Sequence, residues 1–260
     1  MVRRVNYDEI ADRYDDTRRK PTVDRNLLRF LTERQEAPEQ TSARVLDIGC
    51  GTGRQLALNR SQCPNAVLLG IDVSAAMLEI ARRRCPSAHW LHGDGAALPL
   101  RTGSVVYATS QFSYAHIRRQ KAFLTEVLRV LHPGGRLAIT SIDPWSMPGW
   151  LYYRYFPAAQ ALDHQNFIPV EGFSDLLRDL GFVGVQAARS DRSSTVTLSA
   201  FLAGVSQRHS ASQLMAIPDA EYEGGLRQLR QDIEAARGGQ AVRSEFVLVT
   251  LTADKPTPSA

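Results

Sequence analysis

The chain has 260 residues, 43 % hydrophobic and 22 % charged, with a formal net charge of +4. That size and balance fit one large α/β domain, or one domain with a modest cap, of a soluble globular kind. No run of about 18 apolar residues occurs, which excludes a membrane-spanning helix, and the mild positive charge permits an anionic partner without requiring one. The three cysteines, Cys50, Cys63 and Cys85, form no C-x-x-C pair, and their odd number argues against a disulfide framework. A reducing, cytoplasmic location is therefore expected. The opening Met1-Val-Arg-Arg-Val5 lacks the apolar core of a secretory signal.

Residues 1–34 are polar and helical in pattern. Tyr7, Ile10, Ala11 and Tyr14 recur at i, i+3, i+4 and i+7, which gives one apolar-aromatic stripe. A second amphipathic segment covers residues 23–31, and a polar linker follows over 33–42. Residues 44–48 read as a buried strand. Gly49, Gly51 and Gly53 come next, and a helix pattern begins near Arg54. A strand, a glycine turn and a helix N-terminus together make a nucleotide pocket. Cys50 supplies the small side chain that such a loop wants. A dinucleotide fold needs its third glycine three residues after the second. Arg54 stands there, which disfavours a nicotinamide dinucleotide.

The second strand, 67–71, ends in Asp72, about 20 residues past the glycine loop, where a carboxylate can accept from both hydroxyls of a ribose. Ser74 is placed to cap a helix over 75–84. That helix ends in Arg82, Arg83 and Arg84, cations that suit its C-terminal dipole. Strands are expected at 89–92 and 105–109. Ser110, Phe112, Tyr114 and His116 lie just beyond the fourth strand, on the side where α/β folds hold ligands. The alternative for each aromatic is packing beneath the following helix, 118–131. A tight turn over 131–137 leads into a fifth strand, 136–141. Between 143 and 167 stand Trp145, Trp150, Tyr152, Tyr153, Tyr155 and Phe156. They are expected to form an apolar wall over a site, or else a cap that buries its own aromatics, or a dimer surface. A helix over 172–180 stops at Gly181. A sixth strand covers 183–188 and a seventh 246–252, with helical sequence over 195–239, centred on 198–205 and 221–236.

Five stretches carry a resemblance to a known family. Residues 45–53, V-L-D-I-G-C-G-T-G, resemble motif I of the class I S-adenosylmethionine (SAM) methyltransferases at all nine positions. Residues 70–78 resemble that family's G-x-D-x-S-x-x-M-L, and residues 93–99 its G-D-A-x-x-L-P. Residues 131–137 resemble L-K-P-G-G-x-L, with His132 in place of lysine. Residues 7–15 resemble the Y-D-x-x-A-x-x-Y-D opening that forms a lid in small-molecule members. Val106 departs from the pattern, which often has an aspartate there.

The resemblance implies a Rossmann-like α/β fold: a seven-stranded, mostly parallel sheet with helices on both faces, an antiparallel last strand and a helical cap. It implies a lid over residues 1–34 and a methyltransferase domain over 35–260, with cap insertions at about 144–170 and 192–240. It also implies SAM as cofactor and S-adenosyl-L-homocysteine (SAH) as product. The cofactor residues carried over are Tyr14, Asp47, Gly49, Cys50, Gly51, Gly53, Asp72, Val73, Met77, Asp94, Gly95 and Ser110. Asp94 and Gly95 are expected at the adenine. Met77 is expected beside it, or in the core.

Methyl transfer is an in-line displacement on an already activated donor, so the protein chiefly supplies orientation and exclusion of water. A base is needed only for a hydroxyl or an acidic carbon. His116 is the candidate base, with Tyr114 and His164 behind it. No metal is expected: His89 and His92 stand three positions apart on a strand, without clustered acids. The expected reaction moves a methyl group to an O, N or C atom of a small apolar or aromatic metabolite, in a monomer or homodimer. The alternatives are a nucleic-acid methyltransferase and a SAM-binding protein without transfer, such as a cyclase. Against the first, the place of an N/D-P-P-Y/F motif reads Ser110-Gln111-Phe112-Ser113.

Overall fold

The computed structural model describes residues 5–18, 20–37, 39–235 and 241–258. In chain order its elements are a 3-10 helix over Asp8–Thr17, then α1 (Arg25–Glu33), β1 (Arg44–Ile48), α2 (Arg54–Gln62), β2 (Val67–Asp72), α3 (Ala75–Arg84), β3 (His89–His92), β4 (Val105–Gln111), α4 (Gln120–Val130) and β5 (Leu131–Ile142). There follow α5 (Leu151–Tyr155), α6 (Pro157–Asn166), α7 (Val170–Asp179), β6 (Val183–Asp191), β7 (Ser194–Thr197), α8 (Leu198–Val205), α9 (Ser212–Ala216), α10 (Asp219–Ala235), β8 (Ala241–Ser244) and β9 (Val247–Asp254). The chain divides into two compact units, one of residues 19–141, 170–188 and 250–260, the other of residues 1–18, 142–169 and 189–249. The segment 1–34 is thus divided at residue 18.

The first unit is built on a seven-stranded sheet of order β3-β2-β1-β4-β5-β9-β6. β1 runs parallel to both neighbours, with Val45 opposite Leu68 on one side and Tyr107 on the other. A strand flanked on both sides and covered on both faces must be apolar almost throughout. Accordingly Val45, Leu46 and Ile48 are buried. β9 runs antiparallel to β5, since Arg136 meets Asp254 and Thr140 meets Thr250. The fold is Rossmann-like. Leu27, Phe30 and Leu31 of α1 pack with Val45, Leu56, Leu68 and Tyr107. Ser74 Oγ accepts from Met77 N at 3.1 Å and so caps α3.

Several boundaries differ from the sequence reading. β5 starts at Leu131 rather than after a turn, because Leu131 pairs with Val105 and an irregularity absorbs the Pro-Gly-Gly stretch. Gly134 there has φ +74° and donates to Lys255 O. β6 runs to Asp191. Residues 194–197 are not helical: they pair antiparallel with 241–244 as a two-stranded sheet. The partner strand lies more than forty residues away, so no local pattern announces it. The helix expected over 221–236 is observed as α10, and residue 236 lies outside the described residues.

The second unit has a core of its own. Trp150, Tyr153, Tyr155 and Phe156 are buried with Leu198, Val205, Leu214, Tyr222 and Leu226. The aromatic stretch therefore fills the interior of the cap rather than forming an open wall. Trp145 is the exception, with 39 % of its surface exposed. The stretch also contributes buried Met147 and Leu151, which is the composition of a core.

Candidate active site

The glycine loop leaves β1 and turns into α2. Gly49 has φ +71°, in the left-handed region that side chains avoid, and a Cβ there would collide with Ser113. Gly51 differs: a Cβ built on it meets nothing within 4 Å, so the backbone face at Gly51 is open. The N–H groups of Gly49 and Cys50 donate to Ile71 O at 2.8 and 3.1 Å and pin the loop to β2. Cys50 is buried, and its thiol is pushed well above the ordinary range, first by burial and then by Asp47 and Asp72. It is space-filling, not a thiolate.

Asp72 stands beside this loop. Gly51 N donates to its Oδ2 at 2.8 Å and Ser74 N to its Oδ1 at 2.9 Å. Both oxygens are thereby fixed beside the loop. Asp47, at the end of β1, is only 3 % exposed. Its pKa is raised to about 7, first by burial, then by the like charges of Asp24 and Asp72. Asp24 is a residue the sequence reading passed over. It caps α1, accepting from Asn26 N and Leu27 N at 3.1 Å, and receives the Tyr107 hydroxyl at 3.2 Å. Burial outweighs those donors and raises its pKa. An aspartate ahead of an amphipathic helix is the signal that would have found it.

At the end of β3, Asp94 Oδ1 accepts from Ala96 N at 2.9 Å, and its Oδ2 from Arg119 at 2.9 Å. Gly95 packs closely, since a Cβ would stand 2.8 Å from Ile48 Cγ2. Val73 is 54 % exposed at the mouth of the loop, whereas Met77 is 2 % exposed and fills the core. Ser110 is fully buried, and its Oγ lies 2.6 Å from Ser113 Oγ. Ser113 donates its one proton to Ile48 O at 2.7 Å, so Ser110 donates to Ser113. Ser113 is thus the clamp between β4 and the glycine loop.

Phe112 takes φ +56° and is 49 % exposed. Tyr114 is buried against Phe173, ring centroids 5.0 Å apart, which is the packing alternative. His116 ends a short 3-10 helix over Tyr114–His116 and is exposed. The first unit thus gathers Asp47, Gly49, Cys50, Gly51, Gly53, Asp72, Val73, Met77, Asp94, Gly95, Ser110, Tyr114 and His116 at the carboxyl ends of β1 to β4 or next to them.

Tyr14 and His164 belong to the second unit. The Arg18 guanidinium lies 4.5 Å over the Tyr14 ring. His164 stacks on Trp145 at 5.1 Å with the rings 5° from parallel. Beside it, buried Asp163 accepts the Tyr153 hydroxyl at 2.8 Å, and burial pushes its pKa up to about 6. Among the described residues no group of three or more His, Cys, Asp or Glu is placed to hold a metal. Nor is any of their helices long and apolar enough to cross a membrane.

Residues 45–135 match the family described as a methyltransferase domain. The chain is 32 % identical over 142 residues to demethylmenaquinone methyltransferase of Thermus thermophilus, a match covering 53 % of this chain and 64 % of that protein. It therefore spans less than two thirds of that curated relative. Among solved structures, it is similar to phosphoethanolamine N-methyltransferase 2 of Haemonchus contortus in complex with S-adenosyl-L-methionine. There the TM-score is 0.59 and the identity 18 %, covering 97 % of this chain and 60 % of that one. It is also similar to the [4+2]-cyclase SpnF, with TM-score 0.56 and identity 19 %, covering 97 % and 94 %. At these identities the structures share the fold.

Proposed function

We propose that this chain, whose residues 45–135 match a methyltransferase domain, is a class I SAM-dependent methyltransferase that binds SAM along the carboxyl ends of β3, β2 and β1. We propose further that it transfers the methyl group to an O, N or C atom of a small molecule. The observation that carries this reading is the pairing of the open Gly51 backbone with an Asp72 carboxylate fixed beside it. A bare backbone face admits a ligand, and a fixed carboxylate suits a ribose diol.

The other residues fit the same ligand. Asp94 and the Gly95 N–H are a hydrogen-bond acceptor and donor for an adenine edge. Buried Asp47 suits an ammonium group, whose charge would favour the carboxylate form that burial opposes. When bound, SAM supplies a methyl group on a positively charged sulfur. The chain's own part is to hold, orient and shield it. Orientation of this kind is worth around 7–11 kcal/mol in favourable cases. His116, exposed beyond β4, is the group we assign to take a proton where the acceptor is a hydroxyl. The three free, buried cysteines support a reducing compartment, and we place the protein in the cytoplasm.

Calorimetric titration with SAM, SAH and NADH tests the cofactor. Micromolar, one-to-one binding of SAM and SAH and none of NADH is expected. Absence of SAM and SAH binding would defeat the reading. A second reading keeps the cofactor and drops the transfer. The fold shared with a cyclase over nearly the whole of both chains supports it. It would be favoured by tight SAH binding with no transfer of labelled methyl to any acceptor in a metabolite extract.

A further inference from the structure

Asp47 lies near the end of β1 and is 3 % exposed. Alternate residues of a strand share a face, so it shares one with Val45, which packs with Leu27 and Leu31 of α1 and Leu56 of α2. Asp24, which caps α1, and Asp72, at the end of β2, both act on Asp47 as like charges. The Tyr107 hydroxyl of β4 is donated to Asp24. On α2 the Gln55 amide goes to Thr22 O and Asn59 Oδ1. The buried Cys50 thiol stays un-ionised. Among the described residues neither a hydrogen-bond donor nor a cation reaches the Asp47 carboxylate.

A buried ion with neither donor nor counter-ion is costly, and such a group holds a proton instead. The pKa of Asp47, raised to about 7, agrees with that geometry. On the cofactor reading just proposed, on which this inference rests, the methionyl part lies at β1 and brings an ammonium group. A neutral acid offers that charge little, whereas a carboxylate beside it is stabilised. We infer that Asp47 is protonated in the free protein and ionises as the ammonium docks, so that cofactor binding releases a proton. The O–H bond of the acid breaks, its electron pair stays on the carboxylate, and the proton passes to the buffer. SAM and SAH carry the same ammonium, so the release accompanies both. It is nearly complete at pH values below the pKa of the free acid and fades above it, where Asp47 is already ionised.

The test is calorimetric titration of SAH and of 5′-methylthioadenosine into wild type and Asp47→Asn, in buffers of different ionisation enthalpy. Methylthioadenosine has the adenosine and thioether of SAH without its ammonium and carboxylate. The dependence of the heat on the buffer gives the number of protons released. For SAH and wild type it should be about 0.9 at pH 6 and about 0.1 at pH 8, as titration near pH 7 requires. Methylthioadenosine should release none at either pH. Asp47→Asn should bind SAH more weakly and without release. No release with SAH at pH 6, equal release with both ligands, or release that persists in Asp47→Asn would overturn the inference. The two ligands compared on wild type decide it even where the variant fails to fold. Wild type that binds neither ligand would overturn the cofactor reading instead.

Discussion

The acidic side chains of the sheet unit carry most of the chemistry proposed, and Asp47 is the most informative. Its folded-state pKa is raised to about 7, above the roughly 3.9 of a free aspartate. A raised carboxylate favours the fold when protonated. Its contribution is fully present below pH 4 and is lost as pH rises through about 7. Across some three units the loss approaches about 4 kcal/mol. Asp47→Asn should therefore melt higher than wild type at pH 8, with the advantage shrinking toward pH 4, while SAM affinity falls. A melting difference that does not change with pH would count against a buried, titrating Asp47. At Asp94, the ion pair to Arg119 is exposed at both ends, so Arg119→Ala should alter stability by less than about 1 kcal/mol. By removing one donor from Oδ2 it should leave SAH affinity equal or higher. A large loss of SAH affinity would mean that Arg119 itself holds the ligand.

At the scale of elements, β1, β3, α3 and α8 fall where the sequence puts them; the apolar run of β1, closed by Gly49, and the Ser74 cap of α3 are local signals. Ser113 was not legible in that way, nor was the bond that joins Asp24 to Tyr107, although the helix cap at Asp24 was. They depend on Ile48, 65 positions away, and Tyr107, 83 positions away, and no spacing rule links such pairs. The same reason hid the pairing of β7 with β8. Ser113→Ala removes the hydroxyl that ties β4 to the end of β1 and leaves Ser110 without its acceptor. It should lower stability by about 1–3 kcal/mol and weaken SAH binding, as read from urea titrations and calorimetry. Wild-type behaviour in both would show that the clamp is idle.

For the whole molecule, the composition of the aromatic stretch was legible but its use was not. Aromatics after the fifth strand fit a substrate wall and a cap core equally well until burial is known. Phe156 is wholly buried and stacks on Tyr222 with ring centroids 5.9 Å apart. Phe156→Ala should destabilise the cap unit by about 3–5 kcal/mol, seen as faster proteolysis within residues 142–169 and 189–249. Unchanged proteolysis there would contradict a cap core centred on these rings. With most of the aromatics committed to that core, they no longer argue for an apolar substrate, and acceptor screening should not be restricted to aromatic metabolites.

The most direct measurement is calorimetric titration of SAH into wild type, Asp72→Ala and Asp72→Asn. Asp72 accepts from Gly51 and Ser74 with its two oxygens and is the proposed ribose anchor. Wild type should bind with micromolar affinity, Asp72→Ala at least about tenfold more weakly, or about 1.4 kcal/mol, and Asp72→Asn with an intermediate loss. Wild-type affinity in both variants would contradict the placement of the cofactor on this sheet edge.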